Sequence, residues 1–224
     1  MYNAVFISDV HLGTTKNSDK IVAFLKNLKT KKLFLVGDMV SFSVNSPLKE
    51  LDEFFYLVKN GSWELIYIIG NHEKENLNIK TSLARYFEDI KFYDNFIYEY
   101  KDKKIFIEHG DSFHYKDPIN RAIKNFMLKS KVKIYKKKRS SFISIRNIYY
   151  LVKPAIKIAL YNSYLKYIVN QAKARECNYA ICGHLHQPKI KKLSNITYIN
   201  CGDWTRNCTF VALKDSGELK LLYI

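Results

Sequence analysis

The chain has 224 residues, of which 47% are hydrophobic and 26% charged, with only eight glycines and four prolines. This composition excludes a disordered or fibrous protein and suits one large globular domain. No apolar stretch reaches 18 residues and no signal peptide follows Met1, so we expect a cytoplasmic protein that neither spans a membrane nor is exported. Four cysteines without C-x-x-C spacing predict reduced, buried thiols: Cys177, Cys182, Cys201 and Cys208.

The formal net charge of +16 is concentrated in one segment. Residues 116–175 contain 16 lysines and arginines and a single acid, Asp117, whereas the rest of the chain has 21 basic and 20 acidic residues. Such a segment attracts polyanions, and both an anionic membrane surface and a nucleic acid meet that description.

The first third of the chain predicts βαβ units. Apolar, partly β-branched runs at residues 5–7, 33–36 and 65–69 alternate with amphipathic segments of helix length at 21–28 and 48–58. A layered α/β fold follows. Each apolar run ends in a polar cluster, and loops at the carboxyl ends of parallel strands converge on one edge of a sheet, so we expect these clusters to meet.

The remainder of the chain predicts more sheet and an insert. Runs at residues 96–100 and 104–108 indicate a hairpin across Lys101-Asp102-Lys103. Further strands are predicted, in chain order, at residues 179–182, 196–199, 209–213 and 219–223. Residues 118–175 contain no glycine and have helical periodicity, which predicts two or more inserted helices.

Five of the six histidines lie in the loops that follow apolar runs, namely His11, His72, His109, His184 and His186. A single histidine is more often structural, but five in this placement favour metal ligation. In Asp9-x-His11 and His184-x-His186, residues i and i+2 of an extended backbone point the same way, so we expect each pair to reach one cation. Imidazole with carboxylate favours Mn, Fe, Co, Ni or Zn over Mg or Ca.

The order of the motifs resembles that of the calcineurin-like metallophosphoesterases. The five motifs are Asp9-x-His11, Gly37-Asp38, Gly70-Asn71-His72-Glu73, His109-Gly110-Asp111 and Gly183-His184-x-His186. The resemblance extends from residue 2 to about residue 204. It implies a four-layer α/β/β/α sandwich over residues 1–224, with residues 112–176 forming an inserted basic helical cap.

The resemblance also implies two divalent metal ions, with manganese as our first choice. One ion would be held by Asp9, His11 and His186, the other by Asn71, His109 and His184, with Asp38 bridging them. His72 would be a catalytic residue outside the metal shell, which contacts a phosphate oxygen or protonates the leaving group. In many relatives an acid three residues after the bridging aspartate orients this histidine, and Ser41 occupies that position here.

Within the family, the chain looks like the UDP-2,3-diacylglucosamine diphosphatases of lipid A biosynthesis. The resemblance is carried by Ser8-Asp9-Val10-His11-Leu12-Gly13, the basic insert and Asn200-Cys201-Gly202-Asp203-Trp204. It implies cleavage of the substrate to UMP and a 1-phosphorylated diacylglucosamine. His72 stands where the best-characterised members have arginine, which is closer to the pattern of general phosphatases.

The insert combines apolar residues and cations at helical spacing, which is typical of a helix lying on an anionic membrane. We expect peripheral attachment to the cytoplasmic face of the inner membrane through Arg146, Lys153, Lys157 and Lys166, with apolar neighbours such as Leu165 and Ile168 facing lipid. Two alternatives stay open. The apolar face packs on the domain itself, or residues 136–139 (Lys-Lys-Lys-Arg) bind nucleic acid.

Other functions also stay open at this point. The same two-metal core suits a protein phosphatase, a nuclease or a cyclic-nucleotide phosphodiesterase. Outside the enzymes, the chain could be a non-catalytic scaffold that binds a membrane or nucleic acid. The complete ligand set favours an enzyme, because binding alone does not require His72 beside Asn71.

Overall fold

The computed structural model describes residues 1–41, 48–75, 83, 86–87, 90–113 and 145–224, without the side chains of residues 48–50, 75 and 145–157. Within these residues the helices are α1 (Ser18–Asn27), α2 (Leu48–Asn60), α3 (Asn71–Glu75) and α4 (Ile145–Lys173). The strands are β1 (Tyr2–Ile7), β2 (Thr30–Val36), β3 (Glu64–Ile68), β4 (Phe92–Tyr93), β5 (Asn95–Tyr100), β6 (Lys103–Glu108), β7 (Tyr179–Cys182), β8 (Lys189–Leu193), β9 (Ile196–Asn200), β10 (Thr209–Leu213) and β11 (Leu219–Tyr223).

The first sheet has the strand order β11-β10-β1-β2-β3-β4. Strands β1 to β4 run parallel to one another, and helices α1 and α2 supply the first two crossovers, as the βαβ pattern predicts. Strand β10 joins β1 in antiparallel pairing and continues into the β10–β11 hairpin. The predicted strands of the first third are therefore confirmed, within a sheet that is mixed rather than purely parallel.

The second sheet has the strand order β5-β6-β7-β9-β8. Strands β6, β7 and β9 are parallel, while β5 and β8 pair antiparallel with β6 and β9. The predicted hairpin is present, with Asn95 opposite Glu108 and Tyr100 opposite Lys103. Lys101 in its turn has φ 54°, the left-handed conformation that two-residue hairpin turns use.

A hydrophobic core joins residues of both sheets. Alternate residues of β1, Ala4 and Phe6, belong to this core together with Ile105 and Ile107 of β6 and other apolar side chains. The rings of Phe6 and Phe34 stack with their centroids 4.6 Å apart. Because side chains alternate across a strand, the residues of β1 that alternate with Ala4 and Phe6 point to the opposite face of the sheet, toward the helices.

Helices α1 and α2 flank the first sheet, and a second core lies on its outer side. Val5 and Ile7 of β1 belong to it with Ile21 and Leu25 of α1 and with Leu51, Phe54, Phe55 and Val58 of α2. The spacing of these α2 residues follows one face of a helix. At the second sheet, the Arg175 guanidinium, just beyond α4, lies 4.6 Å from the ring centre of Phe106. The mixed α/β fold with two sheets flanked by helices is confirmed.

The chain divides into two compact units, residues 1–110 with 171–224, and residues 111–170. In the second unit the rings of Phe113 and Tyr164 meet edge to face at 5.3 Å, and the Ser112 and Tyr167 hydroxyls are 2.9 Å apart. Helix α4 continues through Pro154. The further helix predicted within 118–175, and the basic run at 136–139, lie outside the described residues.

Part of the insert that was predicted to face a membrane lies within the described residues. Leu165 and Ile168 are buried, so these two side chains are not available to lipid, whereas Ile158 is 61% exposed. Lys166 is exposed. The side chains of Arg146, Lys153 and Lys157 lie outside the described residues, and membrane attachment stays a prediction. None of the helices in the described ranges combines the length and apolarity needed to span a bilayer.

Candidate metal centre

The polar clusters that follow the central strands meet, as expected. The loops after β1 and β2 run side by side, because Asp9 N donates to Gly37 O (3.0 Å) and His11 N to Asp38 O (3.0 Å). In the second sheet, Gly183 N donates to the carbonyl of His109 (3.1 Å). These backbone contacts bring together side chains that are far apart in the sequence.

The first cluster consists of Asp9, His11 and His186, whose ligand atoms all lie within 4.8 Å of one another. His186 Nε2 is 3.1 Å from Asp9 Oδ1 and 3.2 Å from His11 Nε2. His11 Nε2 is 3.7 Å from the same carboxylate oxygen. Two ring nitrogens and a buried carboxylate oxygen therefore point at one small volume.

The second cluster consists of Asp38, His109 and His184, with ligand atoms again within 4.8 Å of one another. His109 is fully buried, and its Nδ1 donates to the carbonyl of Val36 (2.9 Å). This bond sets the orientation of the ring and leaves Nε2 directed at Asp38 Oδ2, 3.2 Å away.

Asp38 connects the two clusters. It belongs to the second cluster and also to a group with His11 and His72, whose ligand atoms are within 4.8 Å of one another. His72 Nε2 is 3.9 Å from Asp38 Oδ2. The position of Asp38 fits the bridging role that the family resemblance implies.

Asn71, the first residue of α3, contributes an amide oxygen. Its Oδ1 is buried and has no hydrogen-bond partner within the ranges described above. A buried polar atom without a partner is costly unless something such as a cation satisfies it. The next residue donates its backbone N–H to Asp38 Oδ1 (2.9 Å), which ties the start of α3 to the aspartate.

The electrostatics of the site favour ionised carboxylates. Burial raises the pKa of Asp9 and of Asp38, but the charge of His109 and the hydrogen bonds from neighbouring histidines together outweigh burial, so both pKa values are lowered. For His186, burial lowers the pKa, but hydrogen bonding to Asp9 and the nearby negative charges raise it overall. Two anionic carboxylates, four imidazoles and an amide oxygen form a donor set that fits a pair of divalent cations.

Two glycines are required by the close approach of side chains in the candidate site. A Cβ at Gly183 would collide with Ser8 Oγ and Asp9 Oδ2, and a Cβ at Gly70 would collide with Asp38 Oδ1. The absence of a side chain at 183 lets the next backbone N–H, that of His184, donate to Asp9 Oδ2 (2.8 Å).

The expected extended geometry of the two i, i+2 pairs is wrong. The φ angles of Asp9, His11, His184 and His186 are 53°, 51°, 65° and 53°, all in the left-handed region. Asp9 and His11 share one cluster, as expected, whereas His184 and His186 fall into different clusters. The assignment implied by the family resemblance separates the two histidines in the same way.

Glu73 is the last residue of the third motif, and the motif alone did not predict its role. This buried carboxylate accepts hydrogen bonds from Asp38 N (2.9 Å), Met39 N (2.6 Å) and Gly70 N (2.8 Å), and from the hydroxyl of Tyr67 (3.2 Å). Burial and the charge of Asp38 raise its pKa. An acid in the first turn of a helix that follows a buried strand was the available signal.

The Gly-Asp-Trp stretch near the C-terminus supports the first cluster. Asp203 is buried and accepts from Arg206 N (2.6 Å) and Asn207 Nδ2 (2.5 Å). Asn207 also donates to the carbonyl of His186 (3.3 Å), and Trp204 N donates to the carbonyl of Asp9 (3.1 Å). The stretch thus holds the backbone of two candidate ligands.

Comparison with known proteins identifies relatives across most of the chain. A curated relative, UDP-2,3-diacylglucosamine hydrolase of Wigglesworthia glossinidia brevipalpis, is 29% identical over 239 aligned residues, which cover 92% of this chain and 88% of the relative. Two solved structures share the fold. A novel archaeal phosphodiesterase has a TM-score of 0.51 at 19% identity and covers 99% of both chains. Vacuolar Protein Sorting 29 from Cryptosporidium parvum has a TM-score of 0.52 at 12% identity and covers 99% of this chain and 95% of its own.

The sequence model of the calcineurin-like phosphoesterases matches residues 2–188, a range that contains all five motifs and both clusters. Since the match covers most of the chain and the two-sheet fold agrees with it, the chain belongs to the calcineurin-like phosphoesterase family.

Proposed function

We propose that this protein is a two-metal-dependent hydrolase of phosphoanhydrides or phosphoesters, and that its substrate is UDP-2,3-diacylglucosamine, cleaved to UMP and a 1-phosphorylated diacylglucosamine. The observation that carries the proposal is the pair of clusters of ligand atoms joined through Asp38. Family membership supports the reaction class, and the relative named UDP-2,3-diacylglucosamine hydrolase supports the substrate.

In this proposal each side chain of the site has a role. Asp9, His11 and His186 would hold one cation, Asn71, His109 and His184 would hold the other, and Asp38 would contribute to both. Such a pair, when bound, lowers the pKa of a water molecule and stabilises the charge that develops at phosphorus. Manganese is our preferred metal, and iron, zinc, cobalt and nickel suit the same donors.

His72 is proposed as the catalytic residue outside the metal shell. Its side chain is 43% exposed, and its Nε2 lies on the side of Asp38. From there it can donate a hydrogen bond to a phosphate oxygen or to the leaving oxygen of the substrate.

The test is product analysis with purified, manganese-loaded protein on UDP-2,3-diacylglucosamine, beside a chromogenic phosphodiester. We expect UMP and the lipid phosphate in equal amounts, and no product from the Asp38→Ala variant. Turnover of the chromogenic diester alone would support the proposed reaction class and contradict the proposed substrate. Hydrolysis of neither compound would favour a non-catalytic role on this fold.

A general phosphoesterase of broader specificity is the second candidate. The motif Asn71-His72-Glu73 favours it, because histidine rather than arginine occupies position 72. The same assay separates the two, since a broad enzyme hydrolyses the chromogenic diester at least as well as the lipid nucleotide. Cyclic nucleotides, single-stranded DNA and a phosphopeptide in the same assay test the remaining alternatives.

The lipid substrate makes attachment to an anionic membrane part of the proposal. Arg146, Lys153, Lys157 and Lys166 are the proposed headgroup contacts on the cytoplasmic face of the inner membrane. The concentration of positive charge in residues 116–175 supports this, because each cation near an anionic surface contributes about 1 kcal/mol.

A further inference from the structure

A buried hydroxyl lies between two histidines of the site. Ser41 Oγ is 2.6 Å from His11 Nδ1 and 3.0 Å from His72 Nδ1. Ser41 is 7% exposed. Its backbone N–H donates to the carbonyl of Leu12 (2.8 Å), which ties the loop after β2 to the loop after β1. The two imidazole rings meet at a steep angle, with their centroids 4.9 Å apart.

A serine hydroxyl has one hydrogen, so it can donate to only one of the two rings and must accept from the other. The ring that donates to Ser41 through Nδ1 is the ring whose other nitrogen, Nε2, must keep its lone pair free. The Nε2 of His11 faces Asp9 and His186 in the first cluster. As a metal ligand, which the proposed function requires, this nitrogen needs its lone pair, so the hydrogen of His11 resides on Nδ1 and is donated to Ser41.

The hydroxyl hydrogen of Ser41 is then directed to His72 Nδ1, and the hydrogen of the neutral His72 ring resides on Nε2. We infer that Ser41 is a positioning residue that links the metal ligand His11 to the catalytic His72 and holds His72 as the Nε2–H tautomer. This inference rests on the proposed function. It gives His72 a hydrogen-bond donor on the nitrogen that lies near Asp38.

A carboxylate at position 41 would have the opposite effect. A carboxylate only accepts hydrogen bonds, so both histidines would place a hydrogen on Nδ1. A neutral His72 would then present a lone pair at Nε2, which cannot donate to a phosphate oxygen. With serine at position 41, a neutral His72 therefore presents an N–H donor to the substrate at Nε2 and not a lone pair.

The tautomer is tested by nitrogen-15 NMR of histidine-labelled, zinc-loaded protein at a pH where the His72 ring is neutral, with the resonance assigned from His72→Ala. We expect Nε2–H in the wild type and Nδ1–H in Ser41→Asp. A wild-type ring with its hydrogen on Nδ1, or a Ser41→Asp spectrum identical to the wild type, overturns the inference.

Kinetics on the chromogenic phosphodiester form the second test. We expect Ser41→Ala to lower kcat by about 10- to 100-fold with little change in KM, as is typical for the loss of a supporting hydrogen bond at a metal site. Ser41→Thr, which keeps the hydroxyl, should recover most of the loss. In a His72→Ala background the further loss from Ser41→Ala should be small, since the serine acts through His72.

The matched control is Thr30→Val, which removes a buried hydroxyl bonded to the carbonyl of Lys32 (2.9 Å) at the other end of β2. It should leave both kcat and the His72 spectrum unchanged. An equal loss from Ser41→Ala with or without His72, or loss of bound metal with no change at His72, overturns the inference. Failure of the proposed function is seen separately, as a wild type that binds no zinc or manganese.

Discussion

His72 is the site histidine with the greatest access to solvent. Its side chain is 43% exposed, against 28% for His186, 8% for His11 and none for His109. The buried rings are directed at carboxylates, which suits ligands that hold a cation. A ring that is half open to solvent suits a group that meets substrate.

Substituting His72→Ala should lower kcat by about 10²- to 10⁴-fold, the usual contribution of a general acid. The metal content should stay at the wild-type level, because the proposed ligands of both clusters remain. Elemental analysis and initial rates on the chromogenic diester measure the two effects. Lys74→Ala, in the same short helix, is the control and should change neither. Loss of metal from His72→Ala would instead make His72 a ligand.

At the scale of elements, the start of α3 and the loop after β2 are joined by hydrogen bonds in both directions. The backbone N–H of His72 donates to the Asp38 carboxylate, while the Glu73 carboxylate accepts the N–H groups of Asp38 and Met39. Each segment thus satisfies polar groups of the other that would otherwise be buried without partners. This exchange positions Asp38.

Glu73→Gln should lower the free energy of unfolding by about 1 to 3 kcal/mol, because the amide nitrogen faces backbone N–H donors that then lack an acceptor. Urea unfolding measures the loss. Glu53→Gln is the matched control, since Glu53 is 43% exposed in its ion pair with Lys26 (2.7 Å) and exposed pairs contribute little. Similar losses for the two variants would contradict the role given to Glu73.

The sequence predicted the elements with strong apolar patterns and missed those without. Strand β8 has lysine at three of five positions, Lys-Ile-Lys-Lys-Leu, and forms the edge of its sheet, where charged residues are tolerated. Strand β4 has only two residues, too few for a periodic pattern. The left-handed backbone at Asp9 and His184 was also missed, because such residues carry no side-chain signal beyond a modest preference of Asp and His.

The site was predictable at the level of motifs but not of contacts. The five motifs identified the residues of both clusters because their order in the chain matches the family. The contact of Ser41 with two histidines depends on how the loops after β1 and β2 pair beyond the ends of the strands. That pairing is a tertiary feature, and the sequence indicated only that position 41 lacks an acid.

For the whole molecule, removal of metal should lower thermal stability. Asp9 and Asp38 are buried anions, and a cation that binds only the folded chain stabilises it by about 2.7 kcal/mol at 100 times its Kd. Manganese should therefore raise Tm in a concentration-dependent way and chelation should reverse the change, as measured by calorimetry. Asp38→Ala should show little of this dependence. A wild-type Tm that is insensitive to manganese would argue against a metal centre.

The uneven charge of the molecule predicts its surface behaviour. Purified protein should cosediment with anionic vesicles at low salt, bind less at high salt, and bind neither neutral vesicles nor duplex DNA with comparable affinity. The variant Lys153→Glu, Lys157→Glu should weaken binding. The control Lys189→Glu, Lys192→Glu makes the same charge change at exposed positions of β8 and should have less effect. Stronger binding to DNA than to vesicles would favour the nucleic-acid alternative.

The four native cysteines can serve as probes of unfolding. All four, Cys177, Cys182, Cys201 and Cys208, are free and buried, and burial raises the pKa of the Cys201 thiol well above its ordinary value. A thiol-reactive dye should therefore label the native protein slowly. The labelling rate then measures how often the structure around the cysteines opens, and no engineered probe is needed to follow it.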